Sequence, residues 1–217
     1  MPGGPRARPS ELPPLSPAVF EALDCSAAAA ADLERFAMRL GEANARMNLI
    51  GLSTIPDFWA RHVIDSAQLL IAAPHAKVWA DIGSGAGFPG LVLSIMLKES
   101  PGAKVHLIES GRRKAGFLSA VVDALGLPAE VHPVRAETLS FPVQVVTARA
   151  CAPLVGLLGH SWGFLRTGAR GLFLKGEGYE VEVAEARRGW RFTCEAIPSR
   201  TDPRGRILSV ADVRHAV

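Results

Sequence analysis

The chain has 217 residues, a formal net charge of +3 and a pI near 9.0. This length can bury a core without disulfides or a structural metal, so one main domain is expected. The three cysteines lie far apart and form no Cys-x-x-Cys pair, which favours reduced thiols and predicts no metal site. No apolar run approaches the ~18 residues that a membrane span requires. We therefore expect a cytoplasmic monomer with no membrane partner.

The first third of the chain predicts helices. Residues 1–17 contain six prolines and few apolar groups, which is typical of a mobile tail. From residue 18 to about 40 apolar side chains recur at helical spacing, and residues 44–53 interrupt this pattern. A second helix is predicted over residues 56–71, with a proline near its first turn. Residues 18–74 are therefore interpreted as an N-terminal helical extension.

Short apolar runs alternate with helical stretches over residues 75–217. The predicted strands are Val78–Ile82, Lys104–Glu109, Ala129–Val134, Val143–Ala148, Gly171–Lys175, Arg191–Ile197 and Arg206–Val210. The predicted helices are Pro89–Glu99, Arg112–Leu125, Leu154–Leu165 and Tyr179–Arg188. This alternation predicts an α/β fold with a mostly parallel sheet covered on both faces. Only a short loop separates the last two strands, so they should form an antiparallel hairpin.

The first predicted strand leads into a glycine-rich loop and then a helix, which indicates a site for a nucleotide cofactor. An acidic residue precedes alternating glycines in the pattern Asp81-x-Gly83-x-Gly85-x-Gly87. Such glycines adopt positive φ and let a ligand approach the backbone. The same loop also holds Gly85-x-Gly87-x-x-Gly90, a weaker pattern that is typical of NAD or FAD sites.

The second predicted strand ends in Glu109, which follows Gly83 by 26 residues. A carboxylate there can accept both ribose hydroxyls of either NAD or S-adenosylmethionine. The antiparallel ending favours S-adenosylmethionine, because a dinucleotide fold continues with parallel strands. Asp81 would then place a negative charge near the ammonium group of the methyl donor.

These residues resemble the RsmG family, also called GidB, of 16S ribosomal RNA methyltransferases that methylate guanine N7. The resemblance covers about Ala18 to the C-terminus and implies a Rossmann-like class I methyltransferase fold. It lies in Asn48-Leu49-Ile50, Arg61-His62-Val63-Ile64-Asp65-Ser66, Asp81-Ile82-Gly83-Ser84-Gly85-Ala86-Gly87-Phe88-Pro89-Gly90, Arg135-Ala136-Glu137, Arg149-Ala150 and Leu174-Lys175-Gly176. The Gly-Phe-Pro-Gly continuation and the Arg-His-x-x-Asp-Ser stretch are more specific than the glycine loop alone.

The resemblance implies that Gly83 and Phe88 contact S-adenosylmethionine, that Ala136 and Glu137 lie at its adenine, and that Arg149 lies near the reacting end. The full predicted cofactor set is Asp81, Gly83, Ser84, Gly85, Gly87, Phe88, Glu109, Ala136, Glu137 and Arg149. The predicted partner is 16S ribosomal RNA or the small ribosomal subunit, with His62, Arg113 and Lys175 as candidate RNA contacts. Arg112 and Lys114, with Arg187, Arg188 and Arg191, could extend a phosphate-contacting surface. His62 and Asp65, three residues apart on a predicted helix, are also interpreted as a structural pair that anchors the N-terminal helices to the sheet, because charged neighbours on a helix are usually structural.

The predicted fourth strand ends in Thr147-Ala148-Arg149-Ala150, where exocyclic-amine methylases carry Asn/Asp-Pro-Pro-Phe/Tyr. This difference suits guanine N7, whose free lone pair carries no proton, so we predict no catalytic acid or base. Arg149 could hydrogen-bond guanine O6 or hold the methionine carboxylate, and the sequence does not choose between them. Two alternatives stay open at this point: an NAD-dependent oxidoreductase, and a non-catalytic RNA-binding assembly factor.

Overall fold

The computed structural model describes residues 12–149 and 151–216 of the chain. Within them a seven-stranded sheet has the order β3-β2-β1-β4-β5-β7-β6. Its strands are β1 Val78–Ile82, β2 Lys104–Ile108, β3 Ala129–His132, β4 Val145–Arg149, β5 Arg170–Lys175, β6 Trp190–Pro198 and β7 Arg206–His215. Strands β1 to β5 run parallel, whereas β7 is antiparallel to both β5 and β6. The predicted fold class is confirmed, although the final hairpin is longer than expected.

Helices cover both faces of the sheet. They are α1 Pro17–Leu23, α2 Ala27–Met47, α3 Asp65–Ala67, α4 Leu69–Ala72, α5 Gly90–Met96, α6 Arg112–Leu125, α7 Leu154–His160, α8 Trp162–Leu165 and α9 Tyr179–Ala186. A π-helix over Trp59–Ile64 and 3-10 turns at Leu52–Thr54 and Ala136–Thr138 complete the helical elements. None of the helices in the described part of the chain is long and apolar enough to span a membrane.

The N-terminal helices differ from the predicted pattern at two points. The single helix predicted from residue 18 is split, because Asp24 ends α1 in a left-handed conformation and the Ser26 hydroxyl caps α2. Helix α2 then continues to Met47, beyond the predicted interruption at residue 44. The Asn44 side chain accepts a hydrogen bond from Ile50 N at 2.8 Å, so this polar residue stabilises the helix end rather than stopping the helix early.

Residues 1–11 of the predicted mobile tail lie outside the described residues. Of its remainder, Leu12 and Leu15 pack against the core, and the Pro13 carbonyl accepts a hydrogen bond from Trp59 Nε1 at 2.7 Å. The sequence pattern placed the start of the helical extension at residue 18. In the structure, packing against the core begins earlier, at Leu12.

The helix predicted over residues 56–71 forms in three pieces, the first of them the π-helix at Trp59–Ile64. This wider turn is uncommon and occurs often at functional sites. Trp59, His62 and Val63 are buried in it, so the segment turns one face into the protein.

The helical extension and the sheet share one apolar core. Phe36 of α2 packs on Phe88, which follows the glycine loop, with ring centroids 5.4 Å apart. Phe58 contacts the same Phe88 ring at 6.0 Å. These residues belong to a cluster that also contains β1, β2 and α5 side chains, whereas a second cluster on the other sheet face joins α7, α8 and α9. The loop between β1 and α5 is thus held directly by the extension.

Gly90 begins α5 in close contact with β1 and β2. A Cβ added there would collide with Leu107 Cδ2 and lie 2.6 Å from Asp81 Oδ2. We expect Gly90→Ala to lower the free energy of unfolding by about 1–3 kcal/mol, because both neighbours are completely buried and the added methyl group overpacks the core. Gly116→Ala is the matched control, since no atom lies within 4 Å of an added Cβ there. This α6 substitution should stabilise by about 0.5–1 kcal/mol. Equal denaturation midpoints for the two variants would contradict the steric argument.

Candidate active site

The glycine loop crosses the carboxyl end of β1. Gly83, Gly85 and Gly87 have φ values of 67°, 55° and 99°, in the left-handed region that favours glycine. Gly83 N and Ser84 N both donate to the Ile108 carbonyl at 2.9 and 3.0 Å, which ties the loop to β2. Gly83 is exposed and Gly85 half-buried, while Ser84 and Gly87 are buried. The loop therefore offers bare backbone to a ligand at its first two glycines.

Asp81 lies beneath this loop and is completely buried. Its Oδ2 accepts from Gly90 N at 3.0 Å and so caps the start of α5, whereas Oδ1 has no hydrogen-bond partner in the described residues. Burial raises the pKa of Asp81 to about 7, against the opposing effects of the Gly90 N–H and the Arg149 charge. Asp81 can place charge under the loop, but in this conformation no ligand reaches its carboxylate directly.

Glu109 lies across the loop at the end of β2, where the sequence placed a ribose acceptor. Its Oε2 accepts from Gly85 N at 3.0 Å and its Oε1 from Gly111 N at 2.7 Å. Glu109 as a whole residue is 9% exposed. Its carboxylate therefore accepts two backbone hydrogen bonds and still borders the surface of the glycine loop. Each carboxylate oxygen keeps a further lone pair for a hydroxyl donor.

Arg149 ends β4 and connects the sheet to the helical extension. Its guanidinium donates to the Arg61 carbonyl at 2.8 Å and to His62 Nδ1 at 2.8 Å. It also lies 5.0 Å above the centre of the Phe88 ring. Burial lowers the pKa of Arg149, while the nearby Asp65 and Asp81 carboxylates oppose this shift. These contacts fix Arg149 at the point where the glycine loop, the π-helix and β4 meet.

The protonation state of His62 follows from its contacts. Arg149 can only donate, so His62 Nδ1 must accept, and His62 Nε2 carries the proton. Nε2 is 2.9 Å from Thr54 Oγ1, which itself donates to the Gly51 carbonyl at 2.7 Å. Burial and the Arg149 charge lower the pKa of His62 to about 3, so the imidazole is neutral at pH 7.

Asp65 has different partners and forms no pair with His62. Its Oδ1 accepts from Thr201 Oγ1 at 2.8 Å and from Gln68 Nε2 at 2.7 Å, and Ser199 Oγ lies 3.5 Å away. Gln68 Oε1 also accepts from Arg200 N at 2.8 Å. Burial raises the pKa of Asp65 against these hydrogen bonds. Asp65 thus fastens the loop between β6 and β7 to the helical extension.

A cleft of about 930 Å³ opens beside Arg149. Its walls are the 57–65 segment, the ends of β4 and β5, and the loop between β6 and β7. Cys151, two residues beyond Arg149, lines this cleft and lies against Gly83, whose added Cβ would be 3.3 Å from Cys151 Cβ. Burial raises the pKa of the Cys151 thiol to about 11, so it is not a nucleophile at pH 7. The cleft therefore adjoins the glycine loop at its exposed end.

Three predicted cofactor contacts have other partners in the structure. Phe88 is buried, with its ring stacked on His62 at 5.0 Å. Ala136 is buried in the core, and the exposed Glu137 carboxylate lies 3.3 Å from His160 Nε2. Ala136 and Glu137 nevertheless follow β3 at the same carboxyl edge as the glycine loop.

The predicted RNA contacts are not one surface. Lys175 is directed inward, where its ammonium lies 2.7 Å from Glu182 Oε2 and donates to the Ala152 carbonyl. Glu182 of α9 balances the Lys175 charge within the protein, although Lys175 also lines the cleft. His62 is likewise buried, whereas Arg113 is exposed at the start of α6 and donates to the Arg46 carbonyl.

The predicted basic surface is also divided by the topology. Arg113 follows the carboxyl end of β2, whereas Arg187 and Arg188 follow α9, which returns to the opposite edge of the parallel strands. Arg191, at the start of β6, lies at that opposite edge too. Several participants in the site were not predicted from the sequence, namely Thr54, the Arg61 carbonyl, Ser199, Thr201 and Gln68. They come from distant parts of the chain, and no local motif marks them.

Comparison with known proteins decides the family. The sequence profile of GidB, described as rRNA small subunit methyltransferase G, matches residues 29–202. The chain belongs to the GidB family. Ribosomal RNA small subunit methyltransferase G of Caulobacter vibrioides is 53% identical over 179 residues, covering 82% of this chain and 83% of the relative. The protein of the same name from Caulobacter sp. strain K31 is 50% identical over 205 residues, covering 94% and 93%.

Solved structures place the GidB chain in the same fold as other methyltransferases. An S-adenosylmethionine-dependent methyltransferase from Aquifex aeolicus superposes with a TM-score of 0.53 at 17% identity, covering 71% of this chain and 93% of that one. Magnesium protoporphyrin IX methyltransferase from Synechocystis PCC 6803 gives 0.54 at 16% identity, covering 80% and 91%. The predicted family and fold class are confirmed. The comparisons do not support the NAD-dependent oxidoreductase or the non-catalytic assembly factor.

Proposed function

We propose that this GidB-family protein transfers the methyl group of S-adenosylmethionine to guanine N7 in 16S ribosomal RNA. The family and its named relatives supply the substrate class. The observation that favours N7 is the neutral, fully hydrogen-bonded state of the His62 imidazole. Both of its ring nitrogens are engaged, one by Arg149 and one by Thr54, so it has no lone pair free to take a proton.

The residues around the glycine loop fit S-adenosylmethionine. Gly83 is exposed and has no side chain, so a ligand can reach its backbone, and the buried Asp81 carboxyl lies below the loop with Oδ1 free of hydrogen-bond partners among the described residues. We assign Asp81, Gly83, Ser84, Gly85 and Gly87 to the methionine end. Glu109 is assigned to the ribose hydroxyls. The remaining predicted contacts, Phe88, Ala136, Glu137 and Arg149, are kept as parts of the cofactor pocket.

With these assignments, the glycine loop, Glu109, the 136–138 turn and Phe88 each have a separate role in binding the cofactor. The glycine loop lets the ligand approach the backbone at Gly83 and Gly85, whose own N–H groups bind the Ile108 carbonyl and Glu109 Oε2 and so fix the loop to β2. Residues 136–138 flank the adenine. When the cofactor binds, the Glu137 carboxylate would leave His160 and accept a hydrogen bond from the adenine amino group. Phe88 acts through its neighbours: its buried ring supports Arg149 from one side and stacks on His62.

When bound, S-adenosylmethionine would supply a sulfonium methyl group, to which a neutral nitrogen lone pair can bond while the C–S bond breaks and S-adenosylhomocysteine leaves. N7 carries no proton, so the protein need not remove one. The groups beside Arg149 are consistent with a reaction that needs no general base. The Asp65 carboxylate accepts hydrogen bonds from Gln68 and Thr201, and the Cys151 thiol stays protonated. The protein then acts by aligning the two reactants, an effect that supplies roughly 7–11 kcal/mol in favourable systems.

The cleft is the proposed place for the guanine. It adjoins the exposed end of the glycine loop through Cys151, and Arg149 lies between the two. A guanidinium at that position can donate to guanine O6 while its other N–H groups stay on Arg61 and His62. Because a volume of about 930 Å³ suits a single nucleotide and not a duplex, we expect the target guanine to be turned out of any stack before it enters.

The function is tested by transfer of labelled methyl from S-adenosylmethionine to 16S RNA or small-subunit particles that lack the modification. We expect incorporation into guanine, followed by strand cleavage under conditions selective for 7-methylguanine. Transcripts carrying 7-deazaguanine should accept no label, because position 7 is then a C–H. Label on an exocyclic amine or a ribose, or label retained with 7-deazaguanine, would overturn the N7 assignment.

Arg61 and Arg113 are the proposed phosphate contacts, because both are exposed at the carboxyl edge of the parallel strands. We expect Arg61→Gln to weaken RNA binding and to reduce the slope of log affinity against log salt by about 0.7, the value for one single-strand phosphate contact. Arg188→Gln, an exposed arginine at the opposite edge, should leave the slope unchanged. Equal slopes for both variants, measured by fluorescence anisotropy, would place the RNA elsewhere.

A further inference from the structure

Two histidines and a glutamate meet at the edge of the sheet, outside the glycine loop and the cleft. His106 lies on β2, and Glu130 and His132 lie on the neighbouring edge strand β3. His106 Nδ1 is 2.9 Å from His132 Nε2, and each of these nitrogens has a Glu130 carboxylate oxygen 3.9 Å away. We propose that these three side chains bind a divalent transition-metal ion, with zinc as the best-matched candidate.

The distances are close to those that a tetrahedral site requires. Zinc binds imidazole nitrogen and carboxylate oxygen at about 2.0–2.2 Å, so tetrahedral ligand atoms are separated by roughly 3.3–3.5 Å. The two nitrogens are 2.9 Å apart, and each lies 3.9 Å from its nearer Glu130 oxygen, Oε2 for His106 and Oε1 for His132, so these distances differ from the tetrahedral value by about 0.6 Å or less. One ligand atom from each of the three side chains lies within 4.8 Å of the other two. Small side-chain rotations can close such differences. The three donors, two imidazoles and a carboxylate, are also a ligand set that zinc takes in proteins.

The two imidazoles are held in place and remain neutral. Phe141 packs on both rings, with centroid distances of 4.5 Å to His106 and 5.7 Å to His132. Burial lowers the pKa of both imidazoles, to about 4 for His106, so metal binding at pH 7 displaces no proton from an imidazolium. The single N–H between the two facing nitrogens would move to the other nitrogen of its own ring.

Lys104 is the charged group that opposes a cation here. Its ammonium lies 2.6 Å from Glu130 Oε2 and keeps the pKa of that carboxyl below its usual range. A metal must share Glu130 with this ammonium or displace it. Removing the lysine charge should therefore strengthen the site, a result that a purely structural cluster would not give.

A bound ion would fasten the edge strand β3 to β2 beside the proposed cofactor pocket. The His132 carbonyl accepts a hydrogen bond from Glu109 N at 3.1 Å, and the 136–138 turn follows four residues later. The metal would thus stabilise the backbone that carries Glu109, at a distance from the reacting groups. The inference does not depend on the identity of the methyl acceptor.

The test uses the full chain without a histidine tag, after treatment with a chelator. Calorimetry with Zn²⁺ should show one site per chain, and Zn²⁺ should raise the midpoint of thermal unfolding by several degrees, whereas Mg²⁺ should not. Glu130→Gln and His132→Gln should each weaken Zn²⁺ binding at least about tenfold. Lys104→Met should strengthen it, and the exposed His75→Gln should leave it unchanged.

Glu130 is half-exposed, so its substitution tests the site even if His132→Gln fails to fold. Undiminished Zn²⁺ binding in the folded Glu130→Gln variant would place the ion elsewhere, for example on a thiol, and would overturn the proposal. The absence of Zn²⁺ binding to the wild-type chain would do the same. The imidazoles would then form only a hydrogen bond.

Discussion

Arg149→Met is expected to lower the rate of methyl transfer by about 100-fold at saturating S-adenosylmethionine. Methionine keeps the side chain over Phe88 but removes the donors that bind Arg61 and His62. A preorganised donor at a reacting centre typically contributes two to three powers of ten in rate. Because Arg149 lines the cleft, we expect the loss in kcat rather than only in cofactor affinity. Single-turnover rates with excess cofactor measure this directly.

Arg170→Met is the matched control for Arg149→Met. Arg170 also donates to a carbonyl of the helical extension, that of Ala72, and to Ser209 Oγ, but it lies at the amino end of β5. Its loss should reduce stability and leave the rate within a few-fold of wild type. If excess S-adenosylmethionine restores the Arg149→Met rate, the guanidinium holds the methionine carboxylate instead of the guanine. A rate for Arg149→Met within a few-fold of wild type would contradict either role.

Asp81→Asn is expected to change stability and cofactor affinity in opposite directions. The pKa of Asp81 is about 7 in the folded chain and 3.8 as a free side chain, so the unfolded state binds fewer protons between these values. Stability is therefore lost as pH rises from about 4 to about 7, by on the order of 4 kcal/mol in total for this group. The asparagine carbonyl can still accept from Gly90 N and carries no buried charge. The variant should be more stable than wild type at pH 8.

The same substitution removes the negative charge below the glycine loop. We expect the affinity for S-adenosylhomocysteine, whose ammonium group is the same, to fall about tenfold. Denaturation of both chains at pH 5 and pH 8 isolates Asp81, because His62 and His106 contribute equally to both proteins. A stability difference that does not grow by about 2–3 kcal/mol between these pH values would contradict burial of an ionised carboxylate. Unchanged cofactor affinity would limit Asp81 to capping α5.

The strands and the cofactor loop could be predicted because their signals are local. Strand β1 at Val78–Ile82 and helix α6 at Arg112–Leu125 form over the predicted residues, where apolar spacing and flanking glycines define each element. The position of Glu109 beside the glycine loop also follows from the pattern, since adjacent parallel strands bring their carboxyl ends together, whereas its hydrogen bond from Gly85 N does not. The hairpin was predictable because its loop has no room for a crossover.

The walls of the cleft could not be predicted, because they depend on which distant segments pack together. Nothing near Arg149 in sequence indicates that its donors bind the Arg61 carbonyl and His62, which lie 88 and 87 residues away. Lys175 carries a charge that suits RNA, yet tertiary packing brings Glu182 to it. Asp65 likewise binds Thr201 across 136 residues. Charge and spacing alone do not identify the partner of a buried polar group.

The shared core around Phe88 has a consequence for how the protein unfolds. Phe36 and Phe58 of the extension pack on this ring, and the ring follows the glycine loop directly. Loss of the extension would expose Phe88 and release one side of Arg149, so we expect the two parts on either side of the predicted boundary at residue 75 to unfold together. We therefore expect ligand binding at the glycine loop to stabilise α2, which contacts Phe88 through Phe36. A ligand that stabilises the loop should protect the backbone amides of this distant helix from hydrogen exchange.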